Sequence, residues 1–166
     1  GGGGNAVSRM FNAQIKGVDF IAINTDAQDL HHTKVSTKIH IGKNLTRGLG
    51  AGMNPDIGRQ AAEENRDEIT EALKGADLVF ITCGLGGGTG SGASSIVADA
   101  AHDVGALAIA VVTKPFSFEG KKRAAIAEEA LISLRDRVDT LITIPNDKVL
   151  NLIDKNTSIV EAFNII

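Results

Sequence analysis

The chain has 166 residues, of which 19 are glycine and three proline, with one cysteine and no tryptophan or tyrosine. Its 17 basic and 20 acidic side chains leave a net charge of -3, which argues against a basic nucleic-acid-binding face and against a polybasic membrane surface. The lone Cys83 excludes an internal disulfide framework and fits a reducing cytosol, and no apolar run reaches the roughly 18–20 residues that span a bilayer.

The length suits one domain or part of one. Thirteen of the nineteen glycines fall into three clusters: Gly1 to Gly4, then Gly48, Gly50 and Gly52, then six between Gly84 and Gly92. Clustering of this kind frees a backbone to wrap a ligand. The opening GGGGNAV has no basic-then-apolar leader, so no secretory signal is expected. His31, His32, His40 and His102 lie in no HExxH or Cys/His array, so no zinc site is expected.

In chain order, the first glycine run opens a helix over 5–16, with Val7, Met10, Phe11 and Ile15 at helical spacing. A buried strand follows over 19–24 and a weaker, alternating edge strand over 38–41. Asn54 caps a helix over 55–74, with Pro55 at its first position and Gly75 at its stop. Strands over 78–82, 107–113 and 140–145 are short, apolar and β-branched, as strands covered on both faces should be. Between them lie an alanine-rich helix over 91–104, ended by Gly105, and a helix over 121–138 with Ala127, Leu131, Leu134 and Val138 on one face. A short helix over 147–154 and the start of another over 158–166, capped by Ser158 with Glu161 three residues on, complete the chain.

Alternating strands and helices predict an α/β fold, a three-layer Rossmann-like parallel sheet with helices on both faces. Ligands in such folds sit at the carboxyl ends of the strands. Four strand exits carry small, polar or glycine residues there: TDAQ after Asn24, CGLGGGTGSG after Thr82, KPFSFEG after Thr113 and ND after Pro145.

The segment from Gly84 to Gly92 follows a strand and opens a helix, so its backbone N–H groups and the positive helix end suit an anion. Thr89 and Ser91 add hydroxyl donors. A turn without a ligand would need only one or two glycines. The loop lacks the lysine of GxxxxGK[ST] and does not match GxGxxG, and NKxD is absent, so neither an ordinary P-loop nor an ordinary dinucleotide-binding domain fits. The run from Gly1 to Gly4, also opening a helix, reads as a second phosphate loop.

Gly86 to Gly92, GGGTGSG, resembles the tubulin signature GGGTG[ST]G. NTDAQ at 24–28, GLGAGMNP at 48–55, TKPFSFEG at 113–120 and IPND at 144–147 resemble, in order, the nucleotide-loop segments of the FtsZ family of bacterial tubulin-like cell-division GTPases. The resemblance runs from Gly1 to Phe163. It implies a GTP-binding domain over 1–166, truncated at both ends, with the first strand, most of the central helix and the C-terminal domain outside the chain.

Carried over residue by residue, the resemblance implies that Gly1, Gly2, Gly3 and Gly4, with Gly86, Gly87, Gly88, Thr89, Gly90, Ser91 and Gly92, cradle the phosphates of GTP or GDP. Ala51, Gly52 and Met53 would sense the γ-phosphate, and Asn5 would lie near the base. Glu119 and Arg123 would bind the ribose, Asn146 the sugar or base, and Phe163 would stack on guanine. Asp26 and Thr113 would lie near a Mg²⁺ and its waters. Ordinary readings stand beside these: an i,i+4 salt bridge for Glu119 and Arg123, helix capping for Asn146 and Asp147, a core aromatic for Phe163, and a small buried thiol beneath the loop for Cys83. Ser94 and Ser95 stand where the family usually has an Ala-Pro pair, with little effect expected.

The function so implied is GTP hydrolysis coupled to head-to-tail polymerisation of this protein with itself, forming the division ring. The location would be cytoplasmic, at mid-cell. No catalytic residue would lie in this chain; the water-activating carboxylates would come from the adjacent subunit, and the isolated chain would barely turn over. Division-ring accessory and membrane-tether proteins would bind through parts outside it, with no nucleic acid and no membrane insertion. The alternatives are a non-hydrolysing tubulin-like scaffold or regulatory paralogue, and a dinucleotide-dependent enzyme, which the glycine spacing disfavours.

Overall fold

A computed structural model of the chain describes residues 1–150. The elements are α1 (Gly2–Asn12), β1 (Ile21–Asn24), α2 (Ala27–His32), β2 (Thr37–His40), α3 (Lys43–Thr46), α4 (Pro55–Glu64), α5 (Arg66–Leu73), β3 (Leu78–Gly84), α6 (Thr89–Asp103), β4 (Leu107–Lys114), a 3-10 turn (Ser117–Glu119), α7 (Lys121–Arg135), β5 (Thr140–Pro145) and α8 (Asn146–Leu150). This is the alternating α/β order expected, with parallel strands flanked by helices.

Every strand pairing between these elements is parallel. β1 pairs with β2, and β3 with β4 and then β5, so the described strands form two hydrogen-bonded sets rather than one continuous sheet. Helix α1 touches both sets, through β1 and β3.

Residues alternate across the three-stranded set. Val79, Ile81, Ala108, Ala110 and Val112 are buried against the helices, and α6 crosses β3 and β4 on that side. The other face carries Leu78, Phe80, Leu107 and Ile142, all exposed. Coverage of both faces, expected from strand composition, therefore does not hold among the described residues. An apolar strand can face the core or lie beneath a further layer, and composition alone does not say which.

Two helices differ from expectation. Helix α1 begins inside the glycine run, at Gly2, and ends at Asn12, leaving Ile15 beyond it. Glycine is a poor helix former, but a Cβ at Gly3 would stand 2.6 Å from the Thr82 carbonyl oxygen; packing against β3 selects glycine there. The helix expected over 55–74 is broken at Asn65 into α4 and α5. Asn65 Oδ1 accepts from the Gly42 N–H at 2.9 Å and its Nδ2 donates to Glu68 at 2.9 Å, so this side chain serves a loop and the new helix start together.

Other expectations hold closely. Asn54 caps α4, accepting from the Asp56 N–H, with Pro55 in the first turn. Gly105 follows α6 with φ of 81°, the left-handed conformation that ends helices at glycine. Ala127, Leu131 and Leu134 form the buried face of α7; Val138 lies past its end but still meets the core. The helix expected at 147 begins at Asn146, while the one expected over 158–166, with Phe163, lies outside the described residues.

Candidate guanine-nucleotide site

The three glycine clusters meet at the carboxyl ends of the strands. Gly3 abuts Thr82 and Cys83 at the end of β3. A Cβ at Gly88 would stand 2.7 Å from Ala51 Cβ and 2.9 Å from both the N and O of Asn54, so the second and third clusters are in contact as well. Neither approach leaves room for a side chain.

Helix geometry supplies the donors. The first N–H groups of a helix have no partner within it. In α1 the first such bond is from Asn5 N to the Gly1 carbonyl, leaving the N–H groups of Gly2, Gly3 and Gly4 without an acceptor among the described residues. In α6 it is from Gly92 N to Gly88 O, and among the described residues none accepts from the N–H groups of Gly87 to Ser91. Both helix N-termini, with their partial positive charge, lie against Gly84: a Cβ at Gly2 would stand 3.9 Å from its N and one at Gly90 2.5 Å from its O.

Some expected donors have other work. Ser91 is buried, and its Oγ accepts from Gly86 N–H at 2.9 Å. That bond shapes the loop and occupies the Gly86 N–H, and it uses a lone pair of Ser91 Oγ, so the hydroxyl hydrogen is not consumed by it. Thr89 Oγ1 lies 2.6 Å from Oγ1 of Thr25, a residue the sequence reading passed over. The only signal for Thr25 was a small polar side chain between a strand and a helix cap.

Across the rim, the 48–53 loop presents Ala51 buried and Gly52 and Met53 with φ of 56° and 59°. It is anchored at its start, where Gly48 N–H donates to Thr46 Oγ1 at 3.3 Å. Asp26 caps α2, its Oδ1 accepting from Gln28 N–H and Asp29 N–H. Its second oxygen, Oδ2, faces Gly50, close to where a Cβ there would stand.

On the far side, Glu119 and Arg123 form an ion pair at 2.6 Å, the ordinary i,i+4 contact. Glu119 Oε1 also accepts from Phe116 N–H at 3.0 Å. A Cβ at Gly86 would meet Arg123 Cβ at 3.4 Å, so Arg123 borders the phosphate loop. Thr113 pairs with Gly84 in the sheet, and its hydroxyl lies beside that glycine. Asp147 accepts from Ser117 N–H at 3.0 Å, tying the exits of β4 and β5. Asn146 is buried, and its Oδ1 has no hydrogen-bond partner among the described residues. Such an atom costs stability unless a ligand pairs with it. Asn5 is an exposed residue of α1.

Cys83 underlies the loop: a Cβ at Gly90 would meet its Cβ at 3.4 Å. Burial pushes its thiol up to about 11, and the Ser94 hydroxyl offsets this only in part. A protonated thiol here is packing rather than a nucleophile.

Residues 1–154 match the family described as the tubulin/FtsZ family, GTPase domain. The chain belongs to the tubulin/FtsZ family. FtsZ from M. jannaschii, solved as an empty dimer, is 50% identical to it with a TM-score of 0.95, over 99% of this chain and 48% of that one. CetZ2 from Haloferax volcanii, a GTPγS-bound protofilament, is 26% identical with a TM-score of 0.85, over 99% and 51%. CetZ1 from the same organism, a GDP-bound monomer, is 25% identical with a TM-score of 0.82, over 98% and 52%. The chain thus spans about half the length of these tubulin/FtsZ structures. No helix among its described residues is long and apolar enough to cross a membrane.

Proposed function

We propose that this chain is the guanine-nucleotide-binding part of a GTPase that hydrolyses GTP and assembles head-to-tail into filaments. The observation that carries the reading is the convergence of two helix N-termini and three glycine clusters on one rim, with backbone N–H groups that have no acceptor among the described residues. The phosphates would lie against the N–H groups of Gly2 to Gly4 and Gly87 to Ser91. Such donors stabilise phosphate charge without a lysine because their dipoles are fixed before the ligand arrives.

Base and sugar would lie toward Arg123, Glu119 and Asn146. The orphaned Asn146 Oδ1 would gain a partner from an N–H or O–H of the nucleoside, and Arg123 would leave or share its ion pair. Glu119 would keep its bond to Phe116 N–H with one oxygen and turn the other to a ribose hydroxyl. The resemblance assigns Phe163, which lies outside the described residues, to stack on guanine.

The metal reading fits in a restricted form. Among the described residues no group of three or more His, Cys, Asp or Glu side chains is arranged to hold an ion. Mg²⁺ commonly takes most of its oxygens from phosphates and water; Asp26 Oδ2 and the Thr113 hydroxyl would contact that water shell. Bound Mg²⁺ supplies charge compensation for the phosphates.

Phosphoryl transfer needs positioning and charge stabilisation more than covalent chemistry from the protein. On this reading the rim supplies both, and no catalytic residue lies in this chain. The water-activating carboxylates would come from the next subunit across a heterologous contact, which repeats into a filament. The FtsZ dimer and the CetZ2 protofilament among the similar structures support self-association. A division ring at mid-cell in the cytoplasm, with accessory and membrane-tether partners, is the setting this reading assigns.

The test is titration of the full-length protein with a fluorescent GTP analogue, with GTP, GDP and NAD as competitors. Saturable binding displaced by GTP and GDP but not by NAD is expected. Absence of saturable binding, or displacement by NAD, overturns the reading.

A further inference from the structure

Thr25 is fully buried between β1 and α2, and its neighbours leave it no freedom. Its carbonyl oxygen accepts from Thr46 Oγ1 at 3.2 Å and lies 3.3 Å from His40 Nε2. On one side the Asn24 carbonyl accepts from Ile41 N–H. On the other, Asp26 N–H donates to Asn24 Oδ1 at 3.2 Å. A threonine is stiff about its first side-chain torsion, so the pinned backbone fixes the hydroxyl. Thr89 is fixed as firmly, being the first residue of α6, which packs closely on α4. The two hydroxyl oxygens stand 2.6 Å apart across this gap.

The direction of that hydrogen bond matters. Each hydroxyl has one hydrogen and two acceptor lone pairs. Thr89 is partly exposed at the rim and can donate outward; Thr25 is enclosed, and among the described residues its hydroxyl has Thr89 as its partner. If Thr89 donated to Thr25, the Thr25 hydrogen would be a buried donor without an acceptor, the costly arrangement. With Thr25 as donor, Thr89 becomes the acceptor and its own hydrogen turns toward the rim. Such a chain also polarises the second hydroxyl, strengthening it as a donor to an anion.

We propose that Thr25 is a positioning residue for phosphate binding: by donating to Thr89 Oγ1 it commits the Thr89 hydrogen to the nucleotide's phosphates. The proposal rests on the guanine-nucleotide reading of the rim. It adds a residue outside the glycine loop that decides how well the loop binds.

The test uses the full-length protein and a fluorescent GTP analogue, comparing the parent with Thr25→Val, Thr25→Ser, Thr89→Val and the double variant Thr25→Val/Thr89→Val. Valine keeps the shape and removes the hydroxyl; serine keeps the hydroxyl. Thr25→Val should weaken binding about tenfold, equivalent to about 1.4 kcal/mol, and Thr25→Ser should restore it to within about twofold. In the Thr89→Val background, Thr25→Val should add no further loss, because the two changes remove one shared interaction. Melting curves check that each variant is folded, and Thr25→Ala replaces the valine variant if that one is not.

Parent-like binding by a folded Thr25→Val protein overturns the proposal. So does a serine variant as weak as the valine variant, or a full additive loss in the double variant. If the parent itself shows no saturable binding, the site reading falls and takes this inference with it, an outcome distinct from the other three.

Discussion

Gly92→Ala sets two effects against each other. Gly92 lies in the first turn of α6, and replacing a helical glycine by alanine normally stabilises by about 1 kcal/mol. Here the added Cβ would stand 2.6 Å from Arg59 N and 2.9 Å from Gly58 C, and closer still to the Pro55 carbonyl oxygen, where ordinary contact begins near 3.4 Å. All three are backbone atoms of α4, so no flexible side chain can swing aside. Overpacking a tight core costs about 1–3 kcal/mol, and rigid neighbours place this case at about 3. The net expectation is a loss of about 2 kcal/mol, or a fall in Tm of about 4–8 °C at the scaling for chains of this size.

Thermal unfolding of the protein, followed by circular dichroism, measures the effect. Gly87→Ala is the control, because a Cβ at Gly87 meets nothing within 4 Å and its φ is not positive. It should move stability by no more than about 0.5 kcal/mol while weakening nucleotide binding, since its methyl group would enter the phosphate cradle. A Gly92→Ala protein melting at or above the parent would refute the argument from close helix approach. So would a Gly87→Ala protein that loses as much stability as Gly92→Ala.

Further expectations follow from individual groups. Asn146→Ala removes a buried carbonyl oxygen that has no partner among the described residues, so Tm should change by less than about 2 °C while guanine-nucleotide affinity falls about tenfold, measured by melting and titration. Cys83 has a thiol raised from an ordinary 9.0 to about 11 by burial; the folded state therefore binds the proton more tightly. Its contribution to stability is full below about pH 9 and is lost as pH rises through 11. The stability of Cys83→Ala should fall less over that range in urea titrations, and Ellman's reagent at pH 8 should label the native parent slowly and the unfolded parent fast. Asp139 is held below the usual carboxylate range by the Ala108 N–H, then by His102. Its stabilisation is present above the unfolded value near about 3.9 and is lost as pH falls through the lower folded value. The urea midpoints of parent and Asp139→Asn should accordingly differ by a constant amount above about pH 4.5 and converge in stronger acid.

Much of the fold was legible because local rules and tertiary structure agree in this chain. Asn54 and Pro55 announce α4 by chemistry that depends on neighbours in sequence, and Gly105 ends α6 for the same reason. The three main strands were found within two residues of their ends, since short β-branched runs bounded by glycine or aspartate have few other uses. The break at Asn65 was not legible: its cause is the Gly42 N–H, 23 positions away in the sequence. The face of β3 and β4 left uncovered among the described residues was hidden for a related reason. Leu78 and Phe80 are as apolar as the buried Val79 and Ile81, and only packing distinguishes them.

The candidate site divides along the same line. The glycine loop at the exit of β3 and the glycine runs that open helices pointed to an anion, and the GGGTGSG signature pointed to the family, because each is contiguous. What each loop residue contributes is a different matter. Ser91 braces Gly86, Glu119 holds Phe116 as well as Arg123, and Asp147 ties Ser117 to the next strand exit. The sequence by itself determined an α/β chain with three glycine clusters, one of them at a strand exit, since helix periodicity, capping and glycine spacing act over a few residues. Only the tertiary structure decided that these loops touch, which N–H groups remain open and that Thr25 meets Thr89, because hydrogen bonds form between atoms that folding, not sequence order, brings within 3 Å.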